Sequence, residues 1–187
     1  MRIVGGELRG RALASPPGTA IRPTADRLRQ AVFDILVHAH GDPLRGARVL
    51  DLFAGTGALG IEALSRGAAY ALFVETGAEA RATIRRNIEA FGLTGRTRVF
   101  RRDATSLGPA GNIAPFDLAF ADPPYGQGSG ERALAAAISG GWLTPGALAV
   151  LEEAAATDIV PVPGLEAVDT RRFGGSQVAF FRLAATG

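Results

Sequence analysis

The chain of 187 residues has no cysteine, no lysine and only two histidines. Without cysteine there is no disulfide, no thiolate nucleophile and no thiolate metal site. The two imidazoles, His38 and His40, fall where a helix is expected to end and a loop to begin. Such positions suit surface or capping side chains better than metal ligands. No apolar run approaches the ~20 residues that span a bilayer. The start, Met1-Arg2-Ile3-Val4-Gly5-Gly6-Glu7, lacks the long apolar stretch of a secretory signal. These absences lead us to expect a soluble, cytoplasmic protein with no resident metal and no membrane contact.

What is present is an ordinary globular composition, 47% hydrophobic and 20% charged. The length can bury one sizeable core with a small appendage. All 20 basic residues are arginine, against 18 acids, for a net charge of +2. That balance alone does not indicate nucleic acid, but its distribution is uneven. Residues 1–30 hold Arg2, Arg9, Arg11, Arg22, Arg27 and Arg29 against only Glu7 and Asp26. A guanidinium fork grips phosphate bidentately and stacks on bases. The bland alternative is a solvated face on an N-terminal flap; we expect RNA contact, with Thr24 beside these arginines.

Val49 to Gly60 reads as a strand, a tight turn and a helix start, the way a parallel α/β sheet presents a cofactor. Gly55 and Gly57 let the backbone turn with positive φ, and Gly60 lets the helix pack closely on the strand. The free N–H groups at the helix start favour an anionic group. Gly55-x-Gly57-x-x-Gly60 fits a dinucleotide fingerprint, and Glu75 lies about 20 residues on, where that fingerprint places an acid for the ribose. The motif does not choose the cofactor.

Taken in order, residues 1–13 alternate weakly, and Gly5-Gly6 could turn a small hairpin. A helix is expected after Arg22-Pro23, with Thr24 as N-cap, Asp26 in its first turn and an apolar stripe of Leu28, Val32, Phe33, Ile35 and Leu36. Gly41-Asp42-Pro43 breaks the chain, dividing a basic extension (1–44) from a sheet domain (45–187). Strands are expected at Arg48–Phe53, Ala71–Glu75, Thr97–Arg101, Phe116–Asp122 and Ala147–Leu151, with helices at Ala58–Arg66, Glu79–Phe91 and Glu131–Ile138. Two further strands, around Glu166–Arg172 and Gln177–Leu183, are joined by Gly174-Gly175, a hairpin signal. This alternation predicts an α/β fold: a mostly parallel seven-stranded sheet, an antiparallel last strand, and helices on both faces.

Four acids, Asp51, Glu75, Asp103 and Asp122, fall at or just after strand ends. Ligands of open α/β sheets lie beyond those ends. With no histidine beside them and no close acid pair, they suit hydroxyls, amines and a cationic ligand better than a metal. Asp122-Pro123-Pro124-Tyr125 narrows the chemistry. Two prolines hold the strand exit rigid. The Asp122 carboxylate and nearby carbonyls then form a preplaced acceptor set beside an aromatic face, which suits the amino group of a planar base.

In these features the chain resembles the class I S-adenosylmethionine-dependent methyltransferases, and Asp122 to Tyr125 resembles the motif of those that methylate base amines. Arg2-Ile3-Val4-x-Gly6, Arg9-Gly10-Arg11, Arg22-Pro23-Thr24-x-Asp26-Arg27-x-Arg29 and Asp51 through Ala63 resemble the RsmD family, bacterial guanine-N2 methyltransferases of 16S ribosomal RNA. The resemblance implies a Rossmann-like methyltransferase fold and S-adenosyl-L-methionine as cofactor. Asp51, Phe53, Ala54, Gly55, Thr56 and Gly57 would hold its methionine part, Glu75 its ribose, and Asp103 with Ala104 its adenine. Asp122 and the Pro123 carbonyl, with Pro124 stiffening the corner, would accept from the guanine amine, and Tyr125 would stack on the ring. Arg2, Arg9, Arg11, Arg22, Thr24 and Arg27 would contact RNA, as naked 16S rRNA or a small-subunit particle, in a monomeric enzyme. Glu7 and Gln30 depart from the family pattern, where a basic and an acidic residue are expected. Rival readings are a nicotinamide dehydrogenase, a methylator of another base amine or of protein glutamine, and a non-catalytic RNA-binding assembly factor.

Overall fold

Strand and helix alternate through the computed structural model, which describes residues 1–16 and 23–185. The elements are α1 (Pro23–Ala39), β1 (Arg48–Leu52), α2 (Ala58–Ser65), β2 (Tyr70–Val74), α3 (Ala78–Ala90), β3 (Thr97–Phe100), β4 (Phe116–Ala121), α4 (Ser129–Ser139), β5 (Leu143–Ala154), β6 (Leu165–Phe173) and β7 (Ser176–Leu183). Seven strands form one sheet in the order β3-β2-β1-β4-β5-β7-β6. β3, β2, β1, β4 and β5 run parallel, while β7 is antiparallel to both β5 and β6. The Gly174-Gly175 turn reverses the chain, and β7 folds back into the gap beside β5.

The central strands are apolar on both faces, as a parallel sheet covered by helices requires. Val49, Phe73, Phe120, Val150 and Phe180 pack with Phe33, Leu36, Ile61, Leu64 and Ile84 on one face. On the other, Leu50, Leu72, Ala119 and Ala149 pack with Leu134, Ala137 and Trp142. Helices α1, α2 and α3 thus cover one face, and α4 the other. The strand exits converge on one edge, where the glycine turn and the proline corner lie.

The N-terminal segment shares this core: Ile3, Leu8, Leu13, Val32 and Phe33 join the first cluster. Its two arms meet at a single bridge, Arg2 to Ala12, reinforced by Ile3 N to Arg11 O (3.0 Å) and Gly10 N to Ile3 O (2.8 Å). The tip is held by α2. The buried Glu62 carboxylate accepts from Val4 N (2.9 Å), Gly5 N (2.8 Å) and Arg66 Nε (2.8 Å).

Three local expectations need correction. Helix α1 begins at Pro23, so Thr24 lies in the first turn and not at the cap. The fixed φ of proline suits a first helical position, which starts the helix two residues earlier. His40 is half-buried, its ring stacking on Phe180 at 5.1 Å, whereas His38 is exposed. Strand β5 starts at Leu143 and runs to Ala154, well past the expected Ala147–Leu151. Pro145 and Gly146 hide its start, where the register against β4 shifts between Phe116 and Leu118. Among the described residues no helix is long and apolar enough to cross a membrane.

Candidate active site

Asp51, near the exit of β1, is buried, and its Oδ2 accepts from Gly60 N at 2.9 Å. That approach depends on the missing side chain at Gly60, where a Cβ would stand 2.4 Å from Phe73 Cε1. Burial, supplemented by the nearby Asp122 and Glu75 charges, raises the Asp51 carboxyl well above its usual range, with the Gly60 bond opposing. The turn between them takes left-handed backbone at Gly57 (φ 80°) and at Phe53 (φ 60°). A bulky residue rarely adopts that conformation, which marks the loop as held in place by its surroundings.

Glu75 supplies part of that hold. Its Oε2 accepts from Gly55 N (2.9 Å) and its Oε1 from Gly77 N (2.7 Å). A carboxylate has about four acceptor sites, so two stay open for further donors. Asp103 caps a short 3-10 turn, its Oδ1 accepting from Thr105 Oγ1 (2.7 Å) and Thr105 N (2.8 Å). The bond from the Thr105 side chain, then that from its amide, holds this exposed carboxyl below its usual value. Phe53, Glu75, Asp103 and Ala104 line a cavity of about 150 Å³.

Phe53 also borders a second cavity of about 200 Å³, together with Ala54, Gly55, Thr56, Asp122 and Glu152. Glu152 in turn borders a third, of about 420 Å³, with Arg27, Tyr125, Gly174, Gly175 and Ser176. Three spaces thus run in series along the sheet edge, joined at Phe53 and at Glu152. The proline corner opens towards the glycine turn.

The corner is fixed from several sides. Pro123 is buried beside Gly130, where a Cβ would stand 3.2 Å from Pro123 Cγ, while Pro124 is exposed. The Tyr125 hydroxyl donates to Glu152 Oε1 and lies 3.1 Å from Ser176 Oγ. Gly126 N donates to Oε1 of the buried Glu153 (2.9 Å). Asp122 sits at a rim open to the cavity but ringed by protein. Desolvation first, then Glu152 and Glu153, pushes its carboxyl up to about 7. Burial likewise raises Glu152, against the bonds from Tyr125 and Ser176, and burial followed by the bond to Glu152 raises Tyr125.

Glu152 and Glu153 correct the expectation that no close acid pair exists. They stand beside Asp122 because β5 neighbours β4 and extends beyond Leu151. An acidic pair just past an apolar run was the signal that could have found them.

The arginines divide by surroundings. Arg29 is buried, with Nη2 3.0 Å from Asp26 Oδ1 and Nε 3.5 Å from Glu62 Oε2. Arg2 donates to Gly10 O (2.8 Å), while Arg11 donates to Ala90 O (2.7 Å) and lies 4.6 Å over the Phe91 ring. Arg9 and Arg27 are exposed. Arg22 and the side chain of Thr24 lie outside the described residues. At the two departing positions, Glu7 pairs with Arg96 (3.1 Å) and Gln30 donates to Asp34 (2.6 Å).

A family model described as Conserved hypothetical protein 95 matches residues 1–182. Ribosomal RNA small subunit methyltransferase D of Escherichia coli (strain K12) is 35% identical over 180 residues, 96% of this chain and 87% of that one. Its namesake from Haemophilus influenzae is 31% identical over 154 residues, 81% of this chain and 78% of that one. The solved structure of yhhF from Escherichia coli matches with a TM-score of 0.84 at 32% identity, covering 100% of this chain and 99% of that chain. The 16S rRNA N2 methyltransferase RsmC of Thermus thermophilus, solved with AdoMet and guanosine, shares the fold at a TM-score of 0.67 and 22% identity, over 89% of this chain and 44% of that chain. The architecture is therefore that of the Rossmann-like class I methyltransferases, and the chain belongs to the RsmD family, the one described as Conserved hypothetical protein 95.

Proposed function

We propose that the protein methylates the exocyclic N2 of a guanine in 16S ribosomal RNA, using S-adenosyl-L-methionine. One observation carries this reading: Asp122 of the proline corner shares a cavity with Gly55 and Thr56 of the glycine turn. A base amine at the corner would therefore face a group held by the turn. Support also comes from relatives named for small-subunit rRNA methylation and from the fold shared with RsmC.

The residues fit the cofactor. Gly60 keeps the start of α2 against β1, and a side chain there would collide with Phe73. Glu75 has acceptor sites left for a ribose diol, and Asp103 stands at the far end of the small cavity for an adenine amine. When bound, S-adenosylmethionine supplies a methyl group activated by its sulfonium.

The chain's own residues align the nucleophile. The lone pair of a guanine amine is delocalised into the ring. Acceptors at Asp122 and the Pro123 carbonyl favour a pyramidal nitrogen whose lone pair points towards the turn. As the nitrogen gains a methyl it loses one proton, and a carboxylate pushed up to about 7 is suited to take it near neutral pH. Tyr125, anchored through its hydroxyl, offers its ring as a stacking face. The base must leave its stack to reach this site. The partner in this reading is 16S rRNA or a small-subunit particle, met in the cytoplasm by a monomer.

Methyl incorporation into undermodified small-subunit RNA tests the proposal. Asp122→Ala should lower turnover by roughly 10²–10⁴-fold, the range for a lost general acid–base group, while calorimetry still reports S-adenosylmethionine binding. Near-wild-type turnover would remove Asp122 from the chemistry, and tight NAD binding in place of S-adenosylmethionine would favour a dehydrogenase.

A further inference from the structure

The cavity of about 420 Å³ has chemistry that the family resemblance does not assign. We infer that this cavity and the middle one beside it, with Arg27, Glu152 and Asp122 placed along the pair in that order, read the hydrogen-bonding edge of the target guanine, and that Glu152 selects guanine over other purines. The inference rests on the proposed guanine methylation and adds the residue that chooses the base.

The order comes from the linings. Arg27 borders only the large cavity, Glu152 borders both it and the middle one, and Asp122 borders the middle one beside Gly55. Cation, carboxylate, carboxylate is therefore the sequence met on going inward. The edge of guanine presents O6, then N1–H, then the N2 amine: an acceptor followed by donors. The two sequences match group for group. Adenine presents an amine first and then a bare N1 lone pair, which would face the Glu152 oxygens with no proton between them. A site built to bond a donor rejects an analogue lacking it, because its own polar group is then left unpaired.

Glu152 is also held as a selector must be. Its Oε1 accepts from the Tyr125 hydroxyl, which in turn lies against Ser176 Oγ. One network thus fixes both the stacking ring and the acceptor. Gly174 and Gly175 add lining without side chains, where a planar base can approach the backbone. Burial keeps the Glu152 and Asp122 carboxyls raised in the free protein, and two donors on one base edge would answer two such groups.

Titrations of the protein with guanosine, inosine, adenosine and 2-aminopurine riboside, followed by NMR, test this without turnover. 2-Aminopurine keeps the N2 amine but has neither N1–H nor O6. The wild type should prefer guanosine to 2-aminopurine riboside by roughly tenfold or more, the scale of one well-made polar discrimination. Glu152→Gln, whose amide can donate to a bare N1, should lower that ratio to the share left by Arg27 and O6, with S-adenosylmethionine affinity unchanged. Arg27→Ala should weaken guanosine and inosine alike and leave 2-aminopurine riboside unaffected. Equal wild-type affinity for guanosine and 2-aminopurine riboside, or no wild-type binding of any nucleoside, overturns the proposal whatever the variants do. A wild-type ratio retained in Glu152→Gln removes the selector role but leaves guanine methylation standing. Preference of the wild type for adenosine over guanosine overturns both readings.

Discussion

Asp122 can take the amine's proton only while it is ionised. Its carboxyl is pushed up to about 7 by desolvation and by Glu152 and Glu153. Activity should therefore be present above about pH 7 and fall as the pH drops, because a protonated carboxyl cannot act as the base. The logarithm of kcat/KM should fall by about one unit per pH unit on the acid side. Glu153→Gln, which removes one repelling charge, should move the inflection to lower pH. A flat rate profile between about pH 6 and 8 would exclude ionisation of Asp122 from the mechanism. Gly60 gives a prediction against the usual sign. Alanine in a helix interior normally gains about 1 kcal/mol over glycine. Here its Cβ would stand 2.4 Å from the buried Phe73 ring. Gly60→Ala should instead lose about 1–3 kcal/mol, the scale of core overpacking, measured by urea denaturation. A gain in stability would mean that α2 shifts freely on the sheet.

At the scale of elements, α2 holds the N-terminal segment through Glu62 and through Ser65, whose Oγ accepts from Leu8 N (2.9 Å) and donates to Gly5 O (2.6 Å). Glu62 is fully buried and accepts from two backbone amides and from Arg66, with Arg29 alongside. Glu62→Ala would leave two amides unpaired and take a buried carboxylate from Arg66 and Arg29, which keep only Asp34 and Asp26, at a cost of about 3–5 kcal/mol. Amide exchange at Val4 and Gly5 should lose its protection, while the central strands keep theirs. Unchanged protection at the tip would mean that the bridge and the apolar contacts suffice. The strands themselves were legible because short apolar runs ended in acids or glycines, and their observed ends differ by a residue or so. β5 was the exception, since its first residues include a proline and a glycine that read as a loop. Ending it at Leu151 left Glu152 and Glu153 out of the site. Asp51, Glu75 and Asp103 could be read from local spacing, whereas the contacts of Tyr125 with Glu152 and Ser176 span 27 and 51 residues of chain. Only the strand order brings those together.

For the whole molecule, recognition of RNA depends on how many arginines reach phosphates. Arg9 and Arg27 are exposed, whereas Arg29 is buried among acids. Arg9→Ala should flatten the plot of log affinity against log salt by about one unit for a small-subunit RNA, measured by anisotropy, while Arg29→Ala should lower stability. An unchanged slope would place the RNA on another face. The position of β7 also sets an order in time. Strand β7 follows β6 in the chain yet lies inside the sheet, between β5 and β6, and its first residue, Ser176, lies against the Tyr125 hydroxyl. Until β7 has been made, β6 has no neighbour to join and the Tyr125 ring lacks one of its two braces. The face proposed to receive the base is thus completed later than the turn and the corner it serves.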